Sequence, residues 1–184
     1  MMCGVTTAHT LTNSFERASM YPLLDLKRRT TTKLGAHARY FRISKYRGVR
    51  VYEAGEYSER GGAFDKSEVD FSQVEIDLDL IQSIQCRIVP KAYRIVLVRW
   101  DSLYYAGLVM EHVEGVHLDK LTRSRTQRMS IKLNNMMAKI YHEFAYLTGY
   151  VHEDLHGYNV IFNKKTKAYK VIDLCGEFLN PIAW

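Results

Sequence analysis

Asp154, Asn159 and Asp173 are the residues of this 184-residue chain whose types and spacing do most to specify a chemistry. Moving a phosphoryl group requires a carboxylate to orient the attacking hydroxyl, and further oxygen ligands for a magnesium ion on the nucleotide phosphates. In the run His152-Glu153-Asp154-Leu155-His156-Gly157-Tyr158-Asn159, the asparagine stands one loop turn beyond the first carboxylate. Asp154 is then the candidate base, and Asn159 and Asp173 are the candidate metal ligands. The same requirement implies a nucleotide and a divalent ion, Mg2+ or Mn2+, as cofactors. His152 is expected to support the loop from the core and not to serve as a base.

These residues need elements to hold them. Val160 to Phe162 and Tyr169 to Ile172 flank the turn-forming Asn163-Lys164-Lys165-Thr166, so a short hairpin would return Asp173 to the side of Asn159. Ahead of the loop, Leu133, Met136, Met137, Ile140, Phe144 and Leu147 share one helical stripe that Gly149 stops, which predicts a core-facing helix and not a cofactor box. Further upstream, Val74, Leu78, Ile81 and Ile84 recur at helical spacing from Phe71, Ser72 with Glu75 matches a capping box, and Pro90 closes the segment. Thr31 to Ile43 and Gly48 to Tyr52 read as strand, turn and strand, and the glycine-containing stretch Glu53 to Asp65 as loop. Ile95 to Arg99 and Tyr104 to Met110 form a second hairpin around Asp101-Ser102. Glu114-Gly115 then breaks the pattern before the basic connection Lys120 to Arg128. The expected organisation is a partly disordered tail over 1–30, a small antiparallel sheet with one helix over 31–114, and a second lobe carrying the loop over 115–184.

Composition narrows the setting. Hydrophobic residues at 47% and charged residues at 25% match a globular protein, and no run approaches the roughly 20 apolar residues of a membrane span. No membrane partner is expected. Met1 to Ser19 is polar and lacks the apolar centre of a secretory signal peptide, which leaves a disordered tail or an export signal for a specialised secretion system. Cys3, Cys86 and Cys175 form no CxxC pair, so neither a zinc site nor a disulfide framework is suggested. The net charge of +6 is uneven: Lys27 to Arg50 contains nine basic residues and no acidic one. An anionic partner or a solvated basic face would each account for it. Nucleic acid is not expected, because Tyr40, Phe41, Tyr46 and Tyr52 interleave with the charges without forming a base-stacking platform.

The motif His152 to Asn159, with Val171-Ile172-Asp173-Leu174-Cys175-Gly176 beyond it, resembles the HRDLxxxN and DFG pair of protein kinases, and also the HxDLHxxN loop of aminoglycoside phosphotransferases. The resemblance runs over 31 to 175. It implies an α+β, protein-kinase-like bilobal fold: an antiparallel-sheet N-lobe with one helix and a truncated, mostly helical C-lobe. It also implies roles. Gly35 in Leu34 to Phe41 stands in the nucleotide-covering loop, although the other glycines of that pattern are missing. Gly48-Val49-Arg50-Val51-Tyr52 is similar to the strand that carries the phosphate-binding lysine, so Arg50 takes the lysine position, with Lys45, Arg42 or Lys33 as substitutes from neighbouring strands. Glu75 is the acid expected to hold that cation. Met110 matches the gatekeeper, and the backbones of Glu111 and Val113 would meet the adenine edge. His156 stands where serine/threonine kinases carry a lysine that neutralises the transferred phosphate.

With Trp184 so soon after Asp173, no activation segment, APE motif or peptide-docking helices are expected. The end from Gly176 reads as a tail. The resemblance therefore narrows to the very short protein kinases that bacterial pathogens make as type III effectors, or that phages make. It implies an ATP- and magnesium-dependent serine/threonine kinase acting on a protein such as a host chaperone or signalling protein, with an activating partner as one way to complete it. The implied location is cytoplasmic, or a host cytosol reached without a signal peptide. A pseudokinase binding module, favoured by Arg50 and the glycine-poor loop, and a small-molecule phosphotransferase stay open beside it.

Overall fold

The computed structural model describes residues 18–26, 32–34, 38–52, 62–121 and 127–182. Period-two alternation organises its first lobe. Strands β1 (Leu23–Asp25), β2 (Thr32–Leu34), β3 (Ala38–Arg42), β4 (Arg47–Tyr52), β5 (Ala92–Trp100) and β6 (Leu103–Glu111) form one sheet in the order β1-β5-β6-β4-β3-β2. Phe41, Val49, Val51, Val96, Val98 and Val109 point to one face and make a core of their own. The residues between them in β4, Gly48 and Arg50, therefore point to the opposite face, toward the second lobe. All pairings are antiparallel except that of β1 with β5. β1 precedes residue 31, where the sequence reading began the lobe; Leu26 behind it is buried and its N–H donates to Arg99 O, so this segment covers the β5 edge of the sheet.

Asp101 and Ser102, at φ 49° and 66°, make the β5–β6 turn, two successive left-handed residues being what a tight hairpin requires. Helix α1 (Ser72–Ile84) buries Val74, Ile81 and Ile84 against Ile95, Leu97 and Leu108 of the sheet. Its start differs from the expected capping box. Asp70 accepts from the Ser72 N–H and hydroxyl, while Glu75 takes no part in the cap. The helix also ends before Pro90, at Gln85 in the left-handed conformation (φ 37°).

The second lobe opens with β7 (Val116–His117) and is built on α2 (Gln127–Thr148), whose Ile140 and Phe144 are buried in the core shared with α1. Leu147, assigned to the same stripe from sequence, is exposed at 37%. Gly149 at φ +74° stops the helix as expected. β8 (Tyr150–His152) leads into the loop, and β9 (Val160–Phe162) pairs with β10 (Tyr169–Val171) as the predicted hairpin. The segment after Gly176 is not a loose tail. β11 (Leu179–Pro181) pairs with β8, Leu179 is buried, and Glu153 N–H donates to Phe178 O, so this strand braces the loop from behind.

Candidate active site

Asn159 is buried and locked to Asp154: its Nδ2 donates to Asp154 O at 2.9 Å and to Asp154 Oδ2 at 3.2 Å. That leaves Asn159 Oδ1 as an oxygen donor. The Asp154 carboxylate itself stays half exposed, as a group that meets a substrate hydroxyl must. Ile172 N–H donates to Asn159 O at 2.8 Å, so the hairpin sets Asp173 directly beside this pair. Asp173 adopts φ 62°, a left-handed conformation that costs an aspartate about 1 kcal/mol, and such strain is commonest at functional positions. Two side-chain oxygens, one from Asn159 and one from Asp173, suit a magnesium ion that takes its remaining ligands from phosphates and water.

Arg50 reaches this point from β4. The residue is 8% exposed, and its guanidinium pairs with Asp173 Oδ1 at 2.9 Å and lies over the Tyr52 ring. Burial works against its charge, but Tyr52, Asp173 and Asp77 outweigh it, so Arg50 is held above its ordinary value. Arg42 and Lys45 are engaged elsewhere, Arg42 with Ser44 O and Glu114, Lys45 over Tyr46. Among the described side chains, Arg50 is thus the cation at the inner end of the cleft, and the side chain of Lys33 lies outside them.

Glu75 does not hold it. The Glu75 carboxylate accepts from Tyr21 Oη at 2.6 Å, away from Arg50. Asp77 is the helix acid that faces the site: it is fully buried and accepts from Tyr52 Oη, Gln73 Nε2 and the Gly176 N–H. A signal for it was present in the sequence, because Asp77 falls on the stripe of Val74, Ile81 and Ile84 at helical spacing, and a carboxylate on a buried stripe needs partners. Donation to Asp77 and burial push the Tyr52 hydroxyl well above its usual range, burial being the larger cause.

Between the lobes lies a cleft of about 200 Å³. Met110, Glu111 and Val113 line it as expected of a hinge, Arg50 and Asp173 close its inner end, and Ile161 and Ile172 form its floor. The Glu111 side chain points elsewhere, accepting from Lys170 Nζ at 2.8 Å and from Lys91 N–H, which ties the hinge to β10. Tyr40 and His112 also line the cleft, and neither was singled out from sequence as a site residue. His156 Nε2 is 3.5 Å from Asp154 Oδ2, with Nδ1 accepting from Tyr158 N–H, so its imidazole stands beside the candidate base. His152 is buried against Phe144, and its ring nitrogens face the backbone of Ile172 and Asp173 without reaching full hydrogen-bond geometry. Burial holds its imidazole below the ordinary value, against the pull of Asp173 and Asp154. Gly35 lies outside the described residues.

A sheet lobe with one helix, a hinge and an Asp-Asn-Asp set on a braced loop define a kinase-like phosphotransferase domain. Residues 68–177 match the ABC1 atypical kinase-like domain, and the chain belongs to that family. Solved structures agree on the fold. A high-resolution crystal structure of WbdD superposes with TM-score 0.53 at 13% identity over 85% of this chain, and one described as the bifunctional kinase-methyltransferase WbdD with TM-score 0.51 at 14% identity over 80%. The chain spans about a third of those solved chains, 34% and 31%. A search of curated proteins finds no match.

Proposed function

We propose that this chain is an ATP- and magnesium-dependent protein kinase that moves the γ-phosphoryl group onto a serine or threonine hydroxyl of a protein. The observation that supports it is that Asp173, paired with Arg50 on the lining of the cleft, follows Ile172, whose N–H is bonded to Asn159 of the Asp154–Asn159 pair. The substrate oxygen attacks the γ-phosphorus, the bond from that phosphorus to the ADP oxygen breaks, and the hydroxyl proton passes to Asp154. Asn159 and Asp173 would hold magnesium, which when bound offsets the charge on the phosphates. Arg50 adds positive charge beside Asp173, and the imidazole of His156 stands beside the candidate base. Positioning and charge, with no covalent intermediate, supply the rate.

The substrate we favour is a host protein such as a chaperone or a signalling protein, met by a secreted effector in the host cytosol. The polar, Thr- and Ser-containing start and the resemblance of the catalytic loop support that reading. A second reading, a nucleotide-gripping pseudokinase, is favoured by one observation: Arg50 neutralises the carboxylate that would bind metal.

The test is transfer from γ-labelled ATP, with magnesium, to proteins of a lysate, beside Asp154→Ala and Asp173→Ala. Labelled protein that falls about 1,000-fold in both variants is expected. Nucleotide binding without label would select the pseudokinase, label confined to small molecules would replace the substrate class, and absence of nucleotide binding would overturn the site.

A further inference from the structure

Tyr40 lies opposite Arg50 in the β3–β4 register, on the face that looks into the cleft. Its side chain does not point straight down. It leans along the sheet over Gly48, so that a Cβ added at Gly48 would sit 2.0 Å from the Tyr40 Oη and 2.2 Å from its Cζ. A methyl group cannot share that space; this position is glycine because the ring needs it. The hydroxyl continues to the hinge and meets His112 Nδ1 at 2.9 Å. A phenol and an imidazole both direct such bonds in the ring plane, and the two rings are near-parallel at 20°, with centroids 5.9 Å apart. Burial raises the Tyr40 hydroxyl to about 12, so it remains a donor at neutral pH. Burial first, and Arg42 second, hold the His112 imidazole below its ordinary value, so it is neutral and can accept. The result is a flat aromatic ceiling from β3 to the hinge, facing the aliphatic floor of Ile161 and Ile172.

Resting on the nucleotide reading above, we propose that Tyr40 is the residue on which the purine of the nucleotide stacks, and that Gly48 exists to admit its ring. An aromatic face of this kind binds any base weakly by itself and takes its selectivity from the depth of the slot, here set by Met110 and by the bond to His112.

The experiment measures binding of Mg-ATP and of Mg-tripolyphosphate, which lacks the base, by calorimetry on the whole chain. Tyr40→Leu is expected to weaken ATP about tenfold and leave tripolyphosphate unchanged. Gly48→Ala, which displaces the ring without removing it, should weaken ATP in the same selective way, and Tyr40→Phe should retain wild-type affinity within about threefold. Thermal unfolding of each variant checks that it folds. Unchanged or tighter ATP binding by Tyr40→Leu would overturn the proposal, as the ring would then merely fill the cleft. Equal losses for both ligands would also overturn it. Wild-type binding of tripolyphosphate as tight as that of ATP would overturn stacking alone; binding of neither ligand would overturn the nucleotide reading and this proposal together.

Discussion

Two buried or half-buried histidines make the site sensitive to acid. His152 and His112 are both depressed, chiefly by burial, whereas each titrates near 6.5 in the unfolded chain. The unfolded state therefore binds more protons below that pH, and the folded state is penalised as pH falls through it. Urea midpoints of the ligand-free protein are expected to fall between pH 7.5 and pH 5.5. His152→Leu should flatten that slope in part, leaving the share of His112. A slope unchanged in the variant would show that the ring is not shielded. Glu143, held below the usual carboxylate range by Tyr169 and Arg87, enters only at lower pH. The residues proposed to carry the chemistry, Asp154 and Asn159 on one loop and Asp173 after the hairpin, were legible in the sequence because their spacing is local and the hairpin fixes the third. Tyr40 and His112 were not. Their meeting depends on strand register and on the tilt of one ring, which no local pattern records.

At the scale of elements, α1 was legible as a helix from its apolar stripe, while its working acid was misassigned. Glu75 fitted a capping box and a family role, yet it meets Tyr21, and the capping falls to Asp70. Asp77→Asn would set an amide donor against the donors from Tyr52, Gln73 and Gly176. We expect it to lower unfolding free energy by about 1–3 kcal/mol in urea titrations. Glu75→Gln, changing a group that touches one tyrosine, should stay within about 0.5 kcal/mol. Equal effects would contradict the assignment of Asp77. The closing strand β11 was missed for another reason: Phe178-Leu179-Asn180-Pro181 is short and contains a proline, so no strand pattern marks it, and the burial of Leu179 comes from pairing with β8.

At the scale of the molecule, the two lobes meet along the cleft and share one hydrophobic core. A ligand that occupies the cleft binds only the folded chain, so Mg-ATP at 100 times its Kd should raise the unfolding free energy by about 2.7 kcal/mol, read as a concentration-dependent Tm. Asp173→Asn should shrink that increment for Mg-ATP, and an equal shift in both proteins would argue against Asp173 as a ligand. Asp77 bears on how such a molecule could be controlled. Its carboxylate fastens the helix to the segment after Asp173, through the Gly176 N–H. Swinging α1 outward would break the bonds that this carboxylate accepts from Tyr52 and Gly176, so the helix rests latched. The helix is thus a bolt already thrown, held by the chain's own hydrogen bonds.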